Sequence, residues 1–248
     1  MESKRVTVII PIHEYNDTVE KYLERAVKSI KTNLSEVIFV GPKEVLDQAS
    51  KLFPSATQVL NSNTDIYTQI NKAALQCVTE YFTVLEYDDV LLPNWYTHML
   101  KEVDGKTIVL PMNEYIEKDT FKAFGNELPW DVAFQHEEDI DEQGNTIEAG
   151  KIGYITEHEL KLYSDFNVTG ALIKTEDFIS LGYLKPEFKV TAWYEFLMRV
   201  ARANKTIYVF PRVCYSHTVL REGSYMTKVK EITTEEEVSE FLKQILNV

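Results

Sequence analysis

Strand-like and helix-like segments alternate through the first 112 residues, and this alternation constrains the fold more than any other feature of the sequence. The short apolar runs VTVIIPI (6–12), EVIFV (36–40) and YFTVLE (81–86) have the continuous apolar character of strands that are buried on both faces. Segments with apolar residues at helical spacing lie between them. This order predicts βαβ units and a largely parallel sheet with helices on its faces.

The elements between and after these strands follow the same pattern. Asp17 and Glu20 have the spacing of a capping box, which predicts that the first helix begins there. A helix is expected at 43–52, and strands at 57–60 and 106–112. From residue 113 to 165 the chain is polar and acidic, and strand and helix patterns resume afterwards. We therefore expect a single domain over 1–248 with a boundary near residue 112.

Composition and charge exclude several classes of protein. The chain has 39 acidic and 26 basic residues, and its net charge of -13 offers no general basic surface for nucleic acid. The two cysteines, Cys77 and Cys214, are far apart in apolar surroundings, which favours free thiols in a reducing compartment. The apolar run at the N-terminus is interrupted by Pro11 and is too short for a signal peptide or a membrane span. We expect a cytoplasmic protein without a transmembrane segment.

An acidic cluster follows the strand at 81–86, in the sequence YFTVLEYDDVLL (81–92). Glu86 and Asp88 alternate along the chain, so their carboxylates can point to the same side. At the carboxyl edge of a parallel sheet, such a pair suits Mg²⁺ or Mn²⁺ carrying a diphosphate. The alternative is a solvated turn in which Asp89 caps the next helix.

Four segments, in this order, resemble the inverting nucleotide-sugar glycosyltransferases of family 2, which have the GT-A fold. They are VTVIIPIHEYND (6–17), INKAALQCVTEYFTVLEYDDVLLPNW (70–95), VTGALIKTEDFISLGYL (168–184) and YEFLMRVARANKTIYVFPRVCYSHTVLREGS (194–224). The resemblance implies a GT-A-type, Rossmann-like α/β fold with a mixed, mainly parallel sheet flanked by helices. It assigns 1–112 to a nucleotide-sugar-binding half, 113–225 to an acceptor-side half and 226–248 to a C-terminal helix.

The implied activity is transfer of a hexosyl or pentosyl group, with inversion, from a nucleoside-diphosphate sugar to an acceptor hydroxyl. A UDP-sugar is the expected donor, and Mn²⁺ or Mg²⁺ the expected cofactor. The acceptor stays open between a glycan, a lipid-linked glycan, a protein and a modified nucleic-acid base. Two alternatives are a non-catalytic nucleotide-sugar-binding module and a sugar-phosphate nucleotidyltransferase. The second normally has a Gly-rich loop after its first strand, and PIHEYND has none.

The resemblance also implies which residues bind the donor. The first loop contacts the nucleotide base, a later helix contacts the donor, and the acidic motif binds the metal and the ribose or diphosphate. The corresponding residues here are Pro11, His13, Glu14, Tyr15, Asn71, Lys72, Glu86 and Asp88. Asp88 is the expected metal ligand, whereas Glu86, in place of the usual first Asp, reaches either the metal or the ribose. FVGPKE (39–44) lacks the Asp that reads the base in this family, so the identity of the base stays open.

The general base is expected at the start of the helix that ends in Arg199, where the family has an acidic pair. Glu195 is the only acid between Glu187 and Arg199, and it is the predicted base. Counting back from Arg199 instead places Ala192 and Trp193 at the acidic pair. In that alignment Glu195 pairs with Arg199 at i+4.

The resemblance also places a histidine near the last strand. His217 is therefore expected to bind the metal or the leaving diphosphate. Arg221 is the alternative contact for the diphosphate, as a fixed cation. Aromatic residues between 115 and 134 lie on the expected acceptor side and suit either a sugar face or a core beneath a long loop.

Overall fold

A computed structural model of the chain describes residues 4–118, 120, 123–127, 153–164, 166–219 and 225–247. These residues form one sheet, and its strands are β1 (Val6–Pro11), β2 (Ser35–Gly41), β3 (Thr57–Leu60), β4 (Tyr81–Val84), β5 (Val90–Leu91), β6 (Ile108–Glu117), β7 (Ala123–Glu127), β8 (Tyr154–Ile155), β9 (Leu172–Lys174) and β10 (Ile207–Val219).

The helices lie between these strands and after the last of them. They are α1 (Asp17–Lys28), α2 (Lys43–Leu52), α3 (Ile66–Ala74), α4 (Trp95–Met99), α5 (Glu157–Leu162), α6 (Thr175–Ser180), α7 (Ala192–Arg202), α8 (Tyr225–Ile232) and α9 (Glu235–Asn247). A 3₁₀ segment, Pro186–Thr191, leads directly into α7. Among the described residues, no helix combines the length and the apolar character needed to cross a membrane.

The sheet is mixed, as predicted, and its longest pairings, β6–β10 and β1–β2, are parallel. Its strand order is β3-β2-β1-β4-β9-β6-β10-β5, with β7 paired to β6 and β8 paired to β10. The pairs β1–β2, β2–β3, β1–β4 and β6–β10 are parallel, whereas β9 runs antiparallel between β4 and β6. Because β6 passes through residue 112 without a break, the sheet is continuous across the boundary expected there.

The two faces of the sheet carry two hydrophobic cores. Along β1, Ile9 belongs to one core while Val8 and Ile10 belong to the other, as the period-two alternation of a strand requires. Helices α3 and α7 cover the first face, and α1, α2 and α4 cover the second. The helices and the sheet thus form three layers, and the loops at the strand ends are left to carry the functional residues.

Two helix boundaries differ from the predictions. The N-cap of α1 is Asn16, not Asp17, since Asn16 Oδ1 accepts hydrogen bonds of 3.0 Å from the backbone N–H groups of Thr18 and Val19. Asp17 instead lies in the first turn, where its charge is favourable to the helix dipole. The C-terminal segment, expected as one helix, is the two helices α8 and α9. Thr234 caps α9 by accepting from the backbone N–H of Glu237 at 3.1 Å.

The loops after β1, β2 and β3 approach one another closely at the carboxyl edge of the sheet. The backbone N–H of Ile12 donates to Val40 at 2.8 Å, and that of Asn61 donates to Gly41 at 2.8 Å. A Cβ atom on Gly41 would lie 2.0 Å from the carbonyl oxygen of Ile12. Glycine is therefore required where the second strand passes the first loop.

Gly170 and Gly105 provide a matched pair for testing how tightly the segment before β9 packs against Tyr215 of β10. Both have positive φ, at +73° and +71°, but a Cβ on Gly170 would lie 2.2 Å from Tyr215 Cδ2, whereas one on Gly105 meets nothing within 4 Å. We expect Gly105→Ala to lower the free energy of unfolding by about 1 kcal/mol through backbone strain. Gly170→Ala should cost about 1–3 kcal/mol more through overpacking. Chemical denaturation measures both, and equal losses would contradict the packing shown here.

Candidate active site

A cleft of about 290 Å³ opens at the carboxyl edge of the sheet, next to the acidic motif. Its walls come from the ends of β4, β6 and β10, from α3, from residues 164 and 166–169 and from the start of α7. The lining residues are Ile66, Tyr67, Ile70, Val84, Glu86, Tyr115, Ser164, Phe166, Asn167, Val168, Thr169, Val190, Trp193, Tyr194, His217 and Val219. This combination of apolar and aromatic walls with a few polar groups is typical of a small-molecule site.

Glu86 and Asp88 lie in a tight turn between β4 and β5. The backbone N–H of Asp89 donates to the carbonyl of Glu86 at 3.0 Å, which closes the turn. The carbonyl of Asp88 accepts from Arg25 Nη2 at 2.7 Å and from the Thr218 hydroxyl. Glu86 lines the cleft, whereas Asp88 is 4 % exposed and is not among the lining residues, although its charge acts on His217, which is. The acidic pair is thus held by α1 on one side and by β10 on the other.

Asp89 has a different role from the helix cap considered for it, because the N-cap of α4 is Asn94. Its carboxylate is fully buried and accepts three hydrogen bonds from β10. Oδ2 accepts from the Tyr215 hydroxyl at 2.7 Å and pairs with His217 Nδ1 at 2.9 Å, and Oδ1 accepts from the Thr218 N–H at 2.8 Å. The third acid of the motif is therefore bound within the protein.

His217 lies opposite Asp89 because β5 and β10 pair antiparallel, with Val90 aligned with Ser216. Burial lowers the pKa of His217, but the carboxylates of Asp89, Glu86 and Asp88 outweigh this effect and raise it to about 10. The imidazole thus lies in the combined field of all three acids. Since Nδ1 is engaged by Asp89, Nε2 is the nitrogen left for a further partner.

The cation expected from the sequence fits this arrangement. Within the described part of the chain, no group of three or more His, Cys, Asp or Glu side chains is arranged to hold a metal ion by itself. Mg²⁺ at phosphate sites, however, is commonly bound by one or two carboxylates and completes its shell with waters and substrate phosphates. Asp88, Glu86 and His217 provide hard or borderline ligands of this kind around one concentration of negative charge.

A second pocket, the β1–β3 pocket, lies between the loops that follow the first three strands and has a volume of about 520 Å³. His13, Asn61 and Lys72 are among its lining residues. Asn61 is 8 % exposed, and its Oδ1 accepts from the backbone N–H of Asn63 at 3.0 Å. Its Nδ2 is buried and has no hydrogen-bond partner among the described residues. A buried donor in this state is costly unless a ligand satisfies it.

The family model for Glycosyl transferase family 2 matches residues 7–158, which is more than half of the chain. The chain belongs to glycosyl transferase family 2. No curated protein matches it. Among solved structures, it is similar to the "Crystal structure of GalNAc-T7 with UDP, GalNAc and Mn2+", with a TM-score of 0.63 and 16% sequence identity. The similarity covers 97% of this chain and 50% of that one, so the chain spans half the length of that protein and shares its fold.

Of the first-loop residues predicted from family 2, only His13 is among the lining residues of the β1–β3 pocket. Pro11 is the buried last residue of β1. Glu14 Oε1 lies 3.6 Å from His13 Nε2, and Glu14 Oε2 lies 3.8 Å from Lys228 Nζ. The loop is thus tied to α8, and a base-binding role for these residues stays a prediction.

Tyr15, the predicted stacking residue for a base, donates its hydroxyl to Glu20 Oε2 at 3.0 Å. Burial and this carboxylate raise the pKa of Tyr15 to about 12. The ring is partly exposed and packs at the margin of the second core. Its orientation is therefore set by α1, and stacking on a base stays a prediction.

The predicted donor contacts on α3 have separate surroundings. The Asn71 side chain donates from Nδ2 to the carbonyl of Leu184 at 2.8 Å and accepts from the Leu184 N–H at 3.0 Å. Both ends of this amide thus join α3 to the segment after α6. Lys72 is exposed, lines the β1–β3 pocket and donates to the carbonyl of Leu60 at 2.5 Å. Of the two, Lys72 is the side chain placed near a pocket.

Glu195 is only 5 % exposed and is paired with two cations. Its carboxylate accepts from Arg199 Nε at 2.7 Å and Nη2 at 2.6 Å, and lies 2.9 Å from Lys185 Nζ. Its helix neighbours Trp193 and Tyr194 line the cleft, whereas Glu195 is not among the lining residues. This geometry is that of the i+4 ion pair considered as the alternative, and the role of Glu195 as base stays a prediction.

Arg221 lies outside the described residues. Two other residues were not predicted to act in the site, Asn61 and Asp89. The only local signal for Asp89 was its place in the run Glu86-Tyr87-Asp88-Asp89, which does not show which acid is buried. Asn61 follows β3 directly, and a polar residue at the carboxyl end of a parallel strand was a signal that was available.

Glu195→Gln and Arg199→Gln distinguish an ion-pair role from a role as base. If Glu195 serves the ion pair, each variant loses about 1–3 kcal/mol of unfolding free energy, the value of a charge-assisted hydrogen bond. We then expect their kcat values to differ by no more than a few-fold. The measurements are chemical denaturation and sugar-transfer rates at a temperature where both variants are folded. A kcat loss of about 10²–10⁴ in Glu195→Gln alone would identify Glu195 as the base.

Proposed function

We propose that this family 2 chain transfers a hexosyl or pentosyl group from a UDP-sugar to an acceptor hydroxyl, with inversion and with Mn²⁺ or Mg²⁺. The observation that carries the proposal is the convergence of Glu86, Asp88 and His217 beside a cleft at the carboxyl edge of the sheet. Ligands of open α/β sheets bind at this edge. The similar solved structure of GalNAc-T7 contains UDP, GalNAc and Mn²⁺, which supports the same classes of donor and cation here.

In this proposal the donor extends from the β1–β3 pocket to the cleft. The nucleotide base of the donor occupies this pocket, beside His13 and Asn61, and the sugar of the donor occupies the cleft. Asp88 and Glu86 hold the cation together with waters and the diphosphate, and His217 contacts either the cation or the diphosphate. When bound, the divalent cation stabilises the negative charge that develops on the leaving diphosphate. Lys72, at the β1–β3 pocket, adds a positive charge on the nucleotide side.

The remaining wall of the cleft is proposed to bind the acceptor. Trp193 and Tyr115 are partly exposed aromatic residues that line this wall. Phe166 also lines the cleft and is buried. Flat apolar faces of this kind position a ring-shaped acceptor so that one hydroxyl is oriented for attack. Inversion requires that hydroxyl to approach opposite the diphosphate while a carboxylate takes its proton. Glu195 is the base predicted from the sequence.

The ion pairs of Glu195 favour one alternative, a nucleotide-sugar-binding module without transferase activity. Arg199 and Lys185 occupy the Glu195 carboxylate, and a base must be able to accept a proton from the acceptor. In such a module the donor site is intact and turnover is absent. Binding and turnover therefore have to be measured separately.

Turnover with a panel of nucleotide sugars in the presence of Mn²⁺ tests the proposal. We expect release of UDP from at least one UDP-sugar, with loss of activity on addition of EDTA. Asp88→Asn should lower kcat/KM by about 10²–10³, the usual cost of removing one electrostatic contact at a reacting centre. Asp47→Asn is the matched control, because Asp47 lies on the exposed side of α2 in an i,i+4 pair with Lys43.

Three outcomes contradict the proposal in different ways. A rise in melting temperature with UDP and Mn²⁺, without turnover on any donor, would indicate the binding module. No turnover together with an unchanged melting temperature would reject nucleotide-sugar binding altogether. Full activity of Asp88→Asn would reject the role of the acidic motif.

Asn61→Asp tests the nucleotide end of the proposed site. The substitution keeps the oxygen that accepts from Asn63 and replaces the buried N–H donor, which we expect to donate to a carbonyl of the base. Calorimetric titration should show UDP binding weakened about tenfold, equivalent to one hydrogen bond of about 1.4 kcal/mol. Gln58→Glu is the control, because it adds the same charge on the exposed side of β3 at a residue that does not line the pocket. If Asn61→Asp and the wild type bind UDP with equal affinity, the nucleotide base of the donor does not bind beside Asn61.

A further inference from the structure

We propose that Asp89 is a positioning residue for His217 and that it holds the imidazole with Nε2 available to the donor's cation and diphosphate. This inference rests on the proposed function, since it assumes that His217 meets that ligand. It adds a residue that acts through another side chain, because Asp89 is itself fully buried.

Hydrogen bonds account for the orientation of the Asp89 carboxylate. Oδ1 accepts from the Thr218 N–H at 2.8 Å, and Oδ2 accepts from the Tyr215 hydroxyl at 2.7 Å and lies 2.9 Å from His217 Nδ1. The other two contacts come from Tyr215 and Thr218, which lie close to His217 along strand β10. The carboxylate is therefore fixed independently of the imidazole and can orient it.

A fixed carboxylate on Nδ1 affects a histidine ligand in two ways. It keeps a proton on Nδ1, so Nε2 is the nitrogen that donates to a diphosphate while the ring is protonated and that offers a lone pair to a cation once its proton is lost. It also holds the ring in one orientation and spares the conformational entropy that a free ring would lose on binding. Because metal-binding histidines commonly have such an outer partner, its removal typically lowers metal affinity 10–100-fold.

The acidic motif is then divided between ligand and protein. Glu86 lines the cleft and Asp88 adjoins it, so these two carboxylates are the candidates for direct contact. Asp89, with no exposed surface, faces β10 instead. The antiparallel pairing of β5 with β10 enforces this division, since it aligns Val90 with Ser216 and so places Asp89 against His217.

The first measurement concerns the hydrogen bond alone and needs no ligand. In the metal-free protein we expect a downfield ¹H resonance from Nδ1–H of His217, assigned by its loss in His217→Ala. Its absence from the wild-type spectrum would overturn the proposal, whatever the protein transfers. This comparison uses only the wild type and His217→Ala, so it does not depend on whether an Asp89 variant folds.

The second measurement is Mn²⁺ affinity in the presence of UDP, followed by electron paramagnetic resonance. We expect Asp89→Asn to weaken Mn²⁺ binding 10–100-fold, and to add no further loss in a His217→Ala background, because the residue acts through that imidazole. Tyr215→Phe removes another hydrogen bond to the same carboxylate and should change the affinity less than threefold. Circular dichroism and the melting temperature confirm that each variant is folded.

The outcomes separate this inference from the function on which it rests. An equal loss from Asp89→Asn in the wild-type and His217→Ala backgrounds would show a merely structural role and overturn the proposal. Unchanged Mn²⁺ affinity in Asp89→Asn would overturn it as well. If the Nδ1–H resonance is present but the wild type binds neither Mn²⁺ nor UDP, the proposed function fails. The inference is then rejected too, because His217 has no cation or diphosphate to meet.

Discussion

The buried carboxylate of Asp89 is the interaction on which the geometry of the candidate site depends. An isolated charge without surface exposure costs several kcal/mol, and here three donors from one strand offset that cost. Those donors lie on β10, more than a hundred residues away in the chain. The carboxylate therefore cross-links the acidic turn after β4 to the last strand of the sheet. Together with the β5–β10 pairing and the bond from the Thr218 hydroxyl to the Asp88 carbonyl, this contact keeps Glu86 and His217 beside the same cleft.

The apolar packing around this carboxylate reinforces the cross-link. Tyr215 donates its hydroxyl to Asp89, and its ring lies against Gly170, where no side chain would fit. The carbonyl of Gly170 in turn accepts from Trp95 Nε1 at 2.8 Å. A chain of contacts thus runs from the acidic turn through β10 to the segment before β9 and on to α4. These contacts hold the elements around the cleft rigidly together, and such rigidity is needed to position a diphosphate and an acceptor accurately.

The sequence allowed the prediction of features that depend on local patterns. Buried strands were recognisable as continuous apolar runs, and the acids after YFTVLE were predictable as edge residues because parallel strands end at a common edge. The role of Asp89 depends on the pairing of β5 with β10, which is long-range and involves only two residues of β5. The cap of α1 was misplaced by one residue because Asn16 and Asp17 are both good N-caps. The position of Asn61 after β3 was legible, but the lack of a partner for its Nδ2 among the described residues is visible only once the surrounding loops are packed.

The first turn of α7 can direct either Trp193 or Glu195 toward the cleft, and this decides whether Glu195 can act as the general base. Residues two apart on an α-helix point about 200° apart, so a helix that presents Trp193 to the cleft directs Glu195 away from it. The contacts agree, since Trp193 lines the cleft and Glu195 pairs with Arg199 and Lys185. For Glu195 to take a proton, α7 would have to rotate, or both ion pairs would have to open at a carboxylate that is already buried. The first turn of α7 can therefore present to the cleft either the ring of Trp193, as part of an acceptor wall, or the carboxylate of Glu195, as a general base. The packing of this chain favours the ring of Trp193.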